Sequence, residues 1–203
     1  MSKSIVDAVA ELPNVCEFFH LPLQSGNDEI LQRMNRRNNM AEYEEIANYI
    51  KAKVPNASLT SDFIVGFPGE TEEQFLDTVN ACVKFEFDSC MTAAYSPRPG
   101  TPAAEMDNQI PEEEKSRRLQ HLNRVMKDIS KKRNVAAIGG IESVLVEGYN
   151  EKKNNYYGRT RTNKNIHFEG DDSLLGQIID IKVISATASS LTGEVMKTAD
   201  IGK

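Results

Sequence analysis

Residues 59–74 carry the clearest folding pattern of the chain; they read Leu59-Thr60-Ser61-Asp62-Phe63-Ile64-Val65-Gly66-Phe67-Pro68-Gly69-Glu70-Thr71-Glu72-Glu73-Gln74. The first seven residues favour a β-strand, and the glycines and proline that follow predict a loop. Thr71, with Gln74 three residues later, predicts a capping box at the start of a helix. We expect the inward side chains of that helix to be Phe75, Val79, Cys82 and Val83. One strand–loop–helix unit is therefore predicted here.

Similar units are predicted on both sides of this stretch. Upstream, a strand over residues 15–21 ends at Pro22 and is followed by helical patterns at 27–34 and 39–55. Downstream, a strand over residues 89–95 ends at a proline-rich loop. Strands separated by helices of this length imply parallel βα units. Because three parallel strands cannot close a barrel and leave exposed edges, we expect part of the fold to be missing from this chain.

The second half of the chain changes pattern. Pro111 begins a predicted helix to residue 134, with Leu119, Leu122, Met126 and Ile129 on one stripe. Residues 111–134 contain 8 Lys and Arg against 4 Asp and Glu, although the whole chain has a net charge of -6. This basic helix is either a nucleic-acid contact or an ordinary solvated face. From Ile141 onward, five short strand patterns predict a small closed β-barrel of the OB-like kind.

Length and composition narrow the class of protein. A chain of 203 residues with 27% charged residues is typical of globular protein and long enough for two small domains. No apolar run approaches the ~18 residues that cross a membrane, and no signal-peptide pattern is present, so we expect a cytoplasmic protein without membrane contact. Cys16, Cys82 and Cys90 form no CxxC pair, and we interpret them as small buried residues and not as metal ligands.

Each predicted parallel strand ends in a polar or glycine-rich segment. The three segments are Gln24-Ser25-Gly26, Gly66 to Glu70, and Ser96-Pro97-Arg98-Pro99-Gly100-Thr101. In (β/α) barrels the reaction site lies at this edge, although each segment alone is also compatible with an ordinary turn. A flat ligand could lie against Gly66, Gln24 and Ser25 could bond a ribose or carboxylate, and Arg98 suits a carboxylate or phosphate. The alternative for Arg98 is a surface arginine between two prolines.

Several strings resemble one known family. They are His20-Leu21-Pro22-Leu23-Gln24-Ser25-Gly26, Asp62-Phe63-Ile64-Val65-Gly66-Phe67-Pro68-Gly69-Glu70-Thr71 and Tyr95-Ser96-Pro97-Arg98-Pro99-Gly100-Thr101-Pro102-Ala103. These are similar to the last three strand motifs of the MiaB-type radical S-adenosylmethionine (SAM) methylthiotransferases. Two further strings, Gly158-Arg159-Thr160-Arg161-Thr162-Asn163 and Asn165-Ile166-His167-Phe168-Glu169-Gly170, resemble the TRAM domain of that family. The resemblance covers nearly the whole chain in the family's order.

The resemblance implies a fold and a domain division. It implies an α/β chain that forms the C-terminal half of a radical-SAM (β/α) partial barrel, followed by a basic linker helix and a small all-β, OB-like TRAM barrel. Residues 1–134, with the linker helix at 111–134, would form the first domain. Residues 135–199 would form the TRAM domain.

The resemblance also implies the chemistry and the site residues. The family cleaves SAM to a 5′-deoxyadenosyl radical and, in its MiaB-type members, methylthiolates isopentenylated adenosine next to the tRNA anticodon. SAM contacts are implied for Gln24, Ser25, Asp62, Val65, Gly66, Phe67, Ser96 and Arg98. RNA contacts are implied for Arg159, Arg161, Asn163, Lys164 and Phe168, the last by stacking on a base.

One departure from the family bears on activity. The family uses two [4Fe-4S] clusters, whose cysteines this chain does not contain, so we expect it to be inactive alone and to need a missing N-terminal half of the enzyme. Its other expected partner is the tRNA anticodon stem-loop. Two alternatives remain open at this point. The chain could be a free-standing RNA-binding module, or a methylthiotransferase that acts on an aspartate of a ribosomal protein.

Overall fold

The computed structural model describes residues 1–196 as a parallel sheet with helices on one face, followed by a closed β-barrel. The helices are α1 Lys3–Glu11, α2 Asp28–Arg33, α3 Met40–Lys53, α4 Glu72–Phe85 and α5 Glu112–Val135. The strands are β1 Phe18–His20, β2 Ser58–Val65, β3 Ser89–Ala94, β4 Ile141–Asn150, β5 Asn155–Thr160, β6 Asn165–Phe168, β7 Ile178–Ala186 and β8 Leu191–Val195. The predicted end of the second domain at residue 199 lies outside the described residues.

The first three strands form a parallel sheet in the order β1-β2-β3. Phe19 pairs with Leu59, and Thr60 pairs with Ser89. An isolated bridge between Gln24 and Phe63 extends the contact of the first segment beyond the end of β1. The parallel arrangement predicted from the strand–helix alternation is confirmed.

The helix starts follow the predicted capping signals. The side chain of Asn39 accepts a hydrogen bond from the Glu42 N–H at 2.9 Å. Thr71 and Gln74 exchange both bonds of a capping box at the start of α4. Among the predicted inward residues of α4, Phe75, Val79 and Cys82 are buried. The fourth predicted inward residue, Val83, is 55% exposed, so the prediction is wrong for this residue. Val83 lies about 100° around the helix from Cys82 and points to solvent.

The sheet has one covered and one open face. On β2, Phe63 and Val65 are buried in the core that the helices cover, while the alternate residues Asp62 and Ile64 are only half-buried. On β3, Met91 is 77% exposed. The open face is therefore accessible from solvent in this structure.

Helix α5 packs its predicted apolar stripe against the first core. Leu122 and Met126 are buried there, and Leu119 and Ile129 are partly buried beside them. Helix α1, for which the sequence predicts no element, buries Val6 in the same core. No helix among residues 1–196 is both long and apolar enough to cross a membrane.

The last five strands close into a barrel in the order β4-β5-β6-β8-β7. Its interior is a second apolar core that includes Val144, Ile166, Ile181 and Leu191. The predicted small closed barrel is confirmed. The cysteines follow the sequence interpretation only in part, because Cys82 is buried but Cys16 is exposed in the loop before β1. The prediction of a buried Cys16 is therefore wrong.

Candidate functional site

The loop after β2 is fixed by a buried carboxylate. Gly66 has φ +71°, and its N–H donates to Glu70 Oε2 at 2.7 Å. Arg118 of α5 donates to the same oxygen at 2.8 Å, and the Glu70 side chain is fully buried. Burial raises the pKa of Glu70, although the Gly66 N–H and Arg118 act in the opposite direction. Helix α5 thus holds this loop at the C-terminal end of the sheet.

Gly66 also makes room for a lysine of α5. A Cβ at Gly66 would lie 2.3 Å from Lys115 Cγ. The Lys115 ammonium donates to the Tyr95 carbonyl at 3.0 Å and pairs with Glu112. The sequence predicts a flat ligand in the open space at Gly66; the structure places the Lys115 side chain there instead.

A cavity of about 310 Å³ lies at this edge of the sheet, beside the same loop. Its lining includes Ile64, Phe67, Tyr95, Arg33 and Met106. The rings of Phe67 and Tyr95 meet edge to face at 5.3 Å, and Arg33 donates to the Gly69 carbonyl at 3.3 Å. The Tyr95 hydroxyl is buried without a hydrogen-bond partner among the described residues. An aromatic wall with an unsatisfied hydroxyl is suited to a flat heteroaromatic ligand.

Gln24 has a strained backbone next to the strand ends. It is a non-glycine residue at φ +77° and is 6% exposed. Its N–H donates to the Asp62 carbonyl at 2.8 Å, and its carbonyl accepts from the Ile64 N–H at 2.9 Å. Strain that the surrounding structure maintains is common at ligand sites, which supports the assignment of Gln24 to the site.

The other residues predicted to contact SAM differ in how far they are exposed. Ser25 and Val65 are fully buried, main chain included, and Ser25 Oγ lies 3.4 Å from the Thr78 hydroxyl, so neither residue is open to a ligand in this structure. Ser96 and Arg98 are exposed in the loop after β3. Asp62 lies on the open face.

Asp62 forms a small polar group with its neighbours on that face. His20 Nε2 lies 3.3 Å from Asp62 Oδ2, and His20 Nδ1 lies 3.0 Å from the Thr60 hydroxyl. Asp62 Oδ1 is buried and has no hydrogen-bond partner in the described part of the chain. This carboxylate therefore has one acceptor that the described residues leave unsatisfied.

The site fits part of SAM but not an iron–sulfur cluster. The aromatic cavity can take an adenine ring, and Arg98 is an exposed cation for a carboxylate. Within residues 1–196, no three His, Cys, Asp or Glu side chains come together in a way that could hold a metal ion. Cys82 is buried in the helix-covered core and Cys16 is exposed in the loop before β1. These cysteines do not form a cluster site.

Two cations predicted to contact RNA instead bind the first domain. Arg161 forms a two-pronged ion pair with Glu17, with its Nε 2.9 Å and its Nη2 2.8 Å from carboxylate oxygens. Lys164 lies 2.7 Å from Asp88, and it donates to Asn134 Oδ1 at 2.8 Å. Both cations thus join the barrel to the N-terminal edge of the parallel sheet.

Asp88 is the centre of that contact. It also accepts from Arg133 at 3.1 Å and from the buried Leu59 N–H at 3.1 Å. Burial by itself would raise the pKa of Asp88, but Lys164 and Arg133 outweigh it and hold the pKa below the usual value. This role of Asp88 is not visible in the sequence, because no local pattern distinguishes it from a surface aspartate.

The remaining predicted RNA residues separate into exposed and buried ones. Arg159 is half-exposed; it donates to Asn163 at 2.8 Å and lies 3.3 Å from Glu147. Phe168 is 2% exposed in the barrel core. The prediction that Phe168 stacks on a base is wrong, because its ring has no face open to a ligand.

Comparison with known proteins finds two family models that match separate parts of the chain. Residues 1–82 match the Radical SAM superfamily, and residues 137–196 match the TRAM domain. A coproporphyrinogen III oxidase from Escherichia coli, described as a radical SAM enzyme, has a similar structure with a TM-score of 0.51 over 98% of this chain and 50% of that one. At 12% sequence identity, this likeness concerns the fold alone. The predicted fold class is confirmed.

Curated relatives extend the match over nearly the whole chain. A tRNA-2-methylthio-N(6)-dimethylallyladenosine synthase from Clostridium botulinum is 44% identical over 96% of this chain, which spans 43% of that protein. A synthase of the same name from Halalkalibacterium halodurans is 45% identical over 97% of this chain and 37% of its own length. The chain thus spans less than half the length of these relatives. The chain contains a Radical SAM region and a TRAM region, and nearly all of it is similar in sequence to part of these synthases.

Proposed function

We propose that this polypeptide is the C-terminal portion of a tRNA-2-methylthio-N6-dimethylallyladenosine synthase. In that role it would hold SAM at the strand ends and bind the tRNA anticodon stem-loop in the cytoplasm. The observation that carries the proposal is the 44% identity to a synthase of this name over 96% of the chain. The names of the relatives favour adenosine in tRNA over an aspartate of a ribosomal protein.

The SAM contacts are assigned from what each strand end offers. Phe67 would flank the adenine in the cavity next to Tyr95. Val65 and Gly66 do not line that cavity, and they would act by shaping the strand end that carries Phe67. The side chains of Gln24 and Asp62 would bond the ribose or the amino acid part, since Asp62 has an unsatisfied acceptor. Ser25, which is fully buried, would take part only if the strand end opens on binding.

The exposed loop after β3 completes the proposed SAM site. Its Ser96 is a hydroxyl donor, and its Arg98 is a cation for the SAM carboxylate. Both side chains are exposed, so they can reorient towards a ligand without disturbing the core.

SAM supplies radical chemistry only together with an iron–sulfur cluster. We place the ligands of both proposed [4Fe-4S] clusters outside this chain, because its cysteines form no cluster site. The chain's own residues would therefore orient SAM and RNA and would not generate the radical. Residues 1–134 and 135–199 remain our proposed domain limits.

The cations of the barrel differ in whether they are already paired with carboxylates of the first domain. Arg159 and Asn163 are placed next to each other on the barrel and would contact RNA directly. Arg161 and Lys164 would have to leave Glu17 and Asp88 to do so. We therefore assign direct contact to Arg159 and Asn163, and we retain Arg161 and Lys164 as contacts only for an RNA that displaces those carboxylates.

A chimera tests the function. This chain would replace the matching C-terminal region of the Clostridium botulinum synthase in cells that lack their own enzyme. We expect the methylthiolated, isopentenylated adenosine to appear in digested tRNA analysed by mass spectrometry. A chimera that folds, retains its clusters and cleaves SAM, but leaves this nucleoside unmodified, would refute the proposed substrate.

A second measurement tests whether the ligands of the iron–sulfur clusters lie outside this chain. The chain alone would be reconstituted with iron and sulfide under anaerobic conditions and incubated with SAM and a reductant. We expect neither a cluster that survives desalting nor 5′-deoxyadenosine. Either product would contradict the placement of the cluster ligands outside this chain.

A further inference from the structure

Most cations of α5 already have partners within the protein. Lys115 and Arg118 are buried at the loop after β2. Arg117 pairs with Glu72 and Glu114, Lys132 with Glu86, and Arg133 with Asp88. The charge of these five side chains is consequently compensated by nearby carboxylates or carbonyl oxygens.

Three other cations of α5 are different. Arg124, Lys127 and Lys131 are exposed, and none of them forms an ion pair among residues 1–196. Their spacing of three and then four residues places them on one face, opposite the buried Leu122 and Met126. We call these three side chains the α5 stripe. With a rise of 1.5 Å per residue, the stripe is about 10 Å long.

The positive charge of the α5 stripe has few acidic residues near it on the helix. Between Lys115 and Val135 the sequence contains one acidic residue, Asp128. Asp128 stands about 40° around the helix from Arg124, at the border of the stripe. The stripe therefore keeps a positive field towards solvent, in a protein whose net charge is -6.

The position of the stripe suggests what it binds. Near the start of α5, Lys115 contacts the main chain of the strand-end loop through Tyr95. Near its end, Asn134 donates to the Thr187 carbonyl of the barrel at 2.9 Å. These two residues are about 28 Å apart along the helix axis, and the stripe lies between them. A ligand that reaches both the strand ends and the barrel has to cross this distance along the outside of the molecule.

We propose that the α5 stripe binds the sugar–phosphate backbone of an RNA stem. This inference rests on the proposed function, since a polyanion that spans from the strand ends to the barrel is the RNA substrate proposed above. Three cations in a row neutralise successive phosphates without reading sequence, and they gain affinity by releasing counterions. The barrel cannot supply this charge from Arg161 and Lys164, because both are paired with carboxylates of the first domain.

The test compares two triple variants of the 203-residue chain. One replaces the stripe, with Arg124→Gln, Lys127→Gln and Lys131→Gln. The control removes the same charge from exposed cations of α3 and α4, with Lys51→Gln, Lys53→Gln and Lys84→Gln. Binding of a fluorescein-labelled RNA hairpin is measured by anisotropy over a series of salt concentrations, and circular dichroism checks that both variants fold.

The expected result is a loss confined to the stripe variant. Its affinity for the hairpin should fall about tenfold near physiological salt, and the slope of log K against log salt should become shallower by about 2 to 3. The control variant should retain the slope of the unmodified chain, because its cations lie outside the stripe and two of them, Lys53 and Lys84, are already paired with carboxylates. This combination supports the proposal.

Other results would overturn it in distinguishable ways. If the unmodified chain binds the hairpin and the stripe variant binds equally well with the same slope, the stripe is not an RNA contact, while the proposed function stands. If the unmodified chain does not bind the hairpin at all, the RNA-binding part of the proposed function fails together with this inference. If the stripe is needed for sedimentation with phosphatidylserine vesicles and not for hairpin binding, its partner is a membrane surface, and the proposal is wrong.

Discussion

The two edges of the parallel sheet differ in how their polar groups are satisfied. At the N-terminal edge, the carboxylates of Glu17 and Asp88 are matched by cations from α5 and the barrel. At the C-terminal edge, the Tyr95 hydroxyl has no partner among the described residues and Gln24 holds a left-handed backbone. The first edge is closed by ion pairs within the protein, whereas the second keeps a buried polar group that the described residues leave unsatisfied.

This difference separates stability from ligand binding along one set of strands. In (β/α) barrels the N-terminal face usually serves stability and the C-terminal face chemistry, and here the β-barrel docks on the stability side. Substitutions at the N-terminal edge should therefore alter the free energy of unfolding most. At the C-terminal edge, the free energy of unfolding should change least when the substitution removes a polar group that makes no hydrogen bond within the protein.

The largest effect is expected at Asp88. Asp88→Ala should lower the free energy of unfolding by about 3 kcal/mol, because it leaves Lys164 and the Leu59 N–H without their acceptor in a buried place. Urea unfolding followed by circular dichroism measures the loss. Glu44→Ala, which breaks the exposed Lys84–Glu44 pair at 2.7 Å, is the control and should change little. Equal losses in both variants would contradict a special role of the barrel contact.

A smaller effect is expected at Gly66. Gly66→Ala should destabilise by about 2 kcal/mol, since alanine is strained at φ +71° and its Cβ would collide with Lys115. Gly100→Ala isolates the backbone contribution, because Gly100 has φ +81° but a Cβ added there would meet no atom within 4 Å. We expect about 1 kcal/mol there. If the two glycines respond equally, Lys115 is free to move and the loop is held less tightly than its contacts indicate.

The N-terminal edge should contribute to the pH dependence of stability. The pKa values of Asp88 and Glu17 are lowered in the folded protein, by Lys164 and Arg133 against burial in the first case and by Arg161 in the second. The unfolded chain therefore binds more protons than the folded one in this range. The stabilisation is complete above the ordinary carboxylate pKa values and is lost as the pH falls through the lowered ones.

Urea midpoints measured from about pH 6 to about pH 3 test this dependence. In Asp88→Asn the carboxylate cannot titrate, so the decline at acid pH should be shallower than in the unmodified chain. An identical decline in both proteins would assign the acid sensitivity to other carboxylates, including Glu17.

The sequence predicted the elements better than the contacts between them. Local signals such as the capping box at Thr71 fix where α4 starts, and alternation along β2 gives its two faces. Arg161 and Lys164, however, look in the sequence like free barrel cations. Their carboxylate partners lie 144 and 76 positions away in the chain, and no local pattern encodes such a pairing.

For the candidate site as well, local sequence signals indicate the segments involved but not which side chains face the cavity. Strand ends are recognisable from glycine and proline, so the sequence predicts a site at the edge of the sheet where the cavity lies. Which side chains face the cavity depends on packing: Ser25 is turned into the core, while Tyr95, which directly precedes the predicted Ser96, lines the cavity. Its place at the end of a strand was the available signal.

The smallest change in stability is expected at Tyr95, because its hydroxyl is the unsatisfied group that most clearly separates the C-terminal edge from the N-terminal one. Tyr95→Phe removes a buried hydroxyl that has no partner in the described chain, so the free energy of unfolding should stay the same or rise by up to about 1 kcal/mol. Tyr43→Phe is the matched control, because the Tyr43 hydroxyl donates to the Leu21 carbonyl at 2.9 Å, and its loss should cost about 1 kcal/mol. Urea unfolding of the two variants gives both values. A clear destabilisation by Tyr95→Phe would show that its hydroxyl already serves the fold, and the C-terminal edge would then lose the group that most distinguishes it as a ligand site.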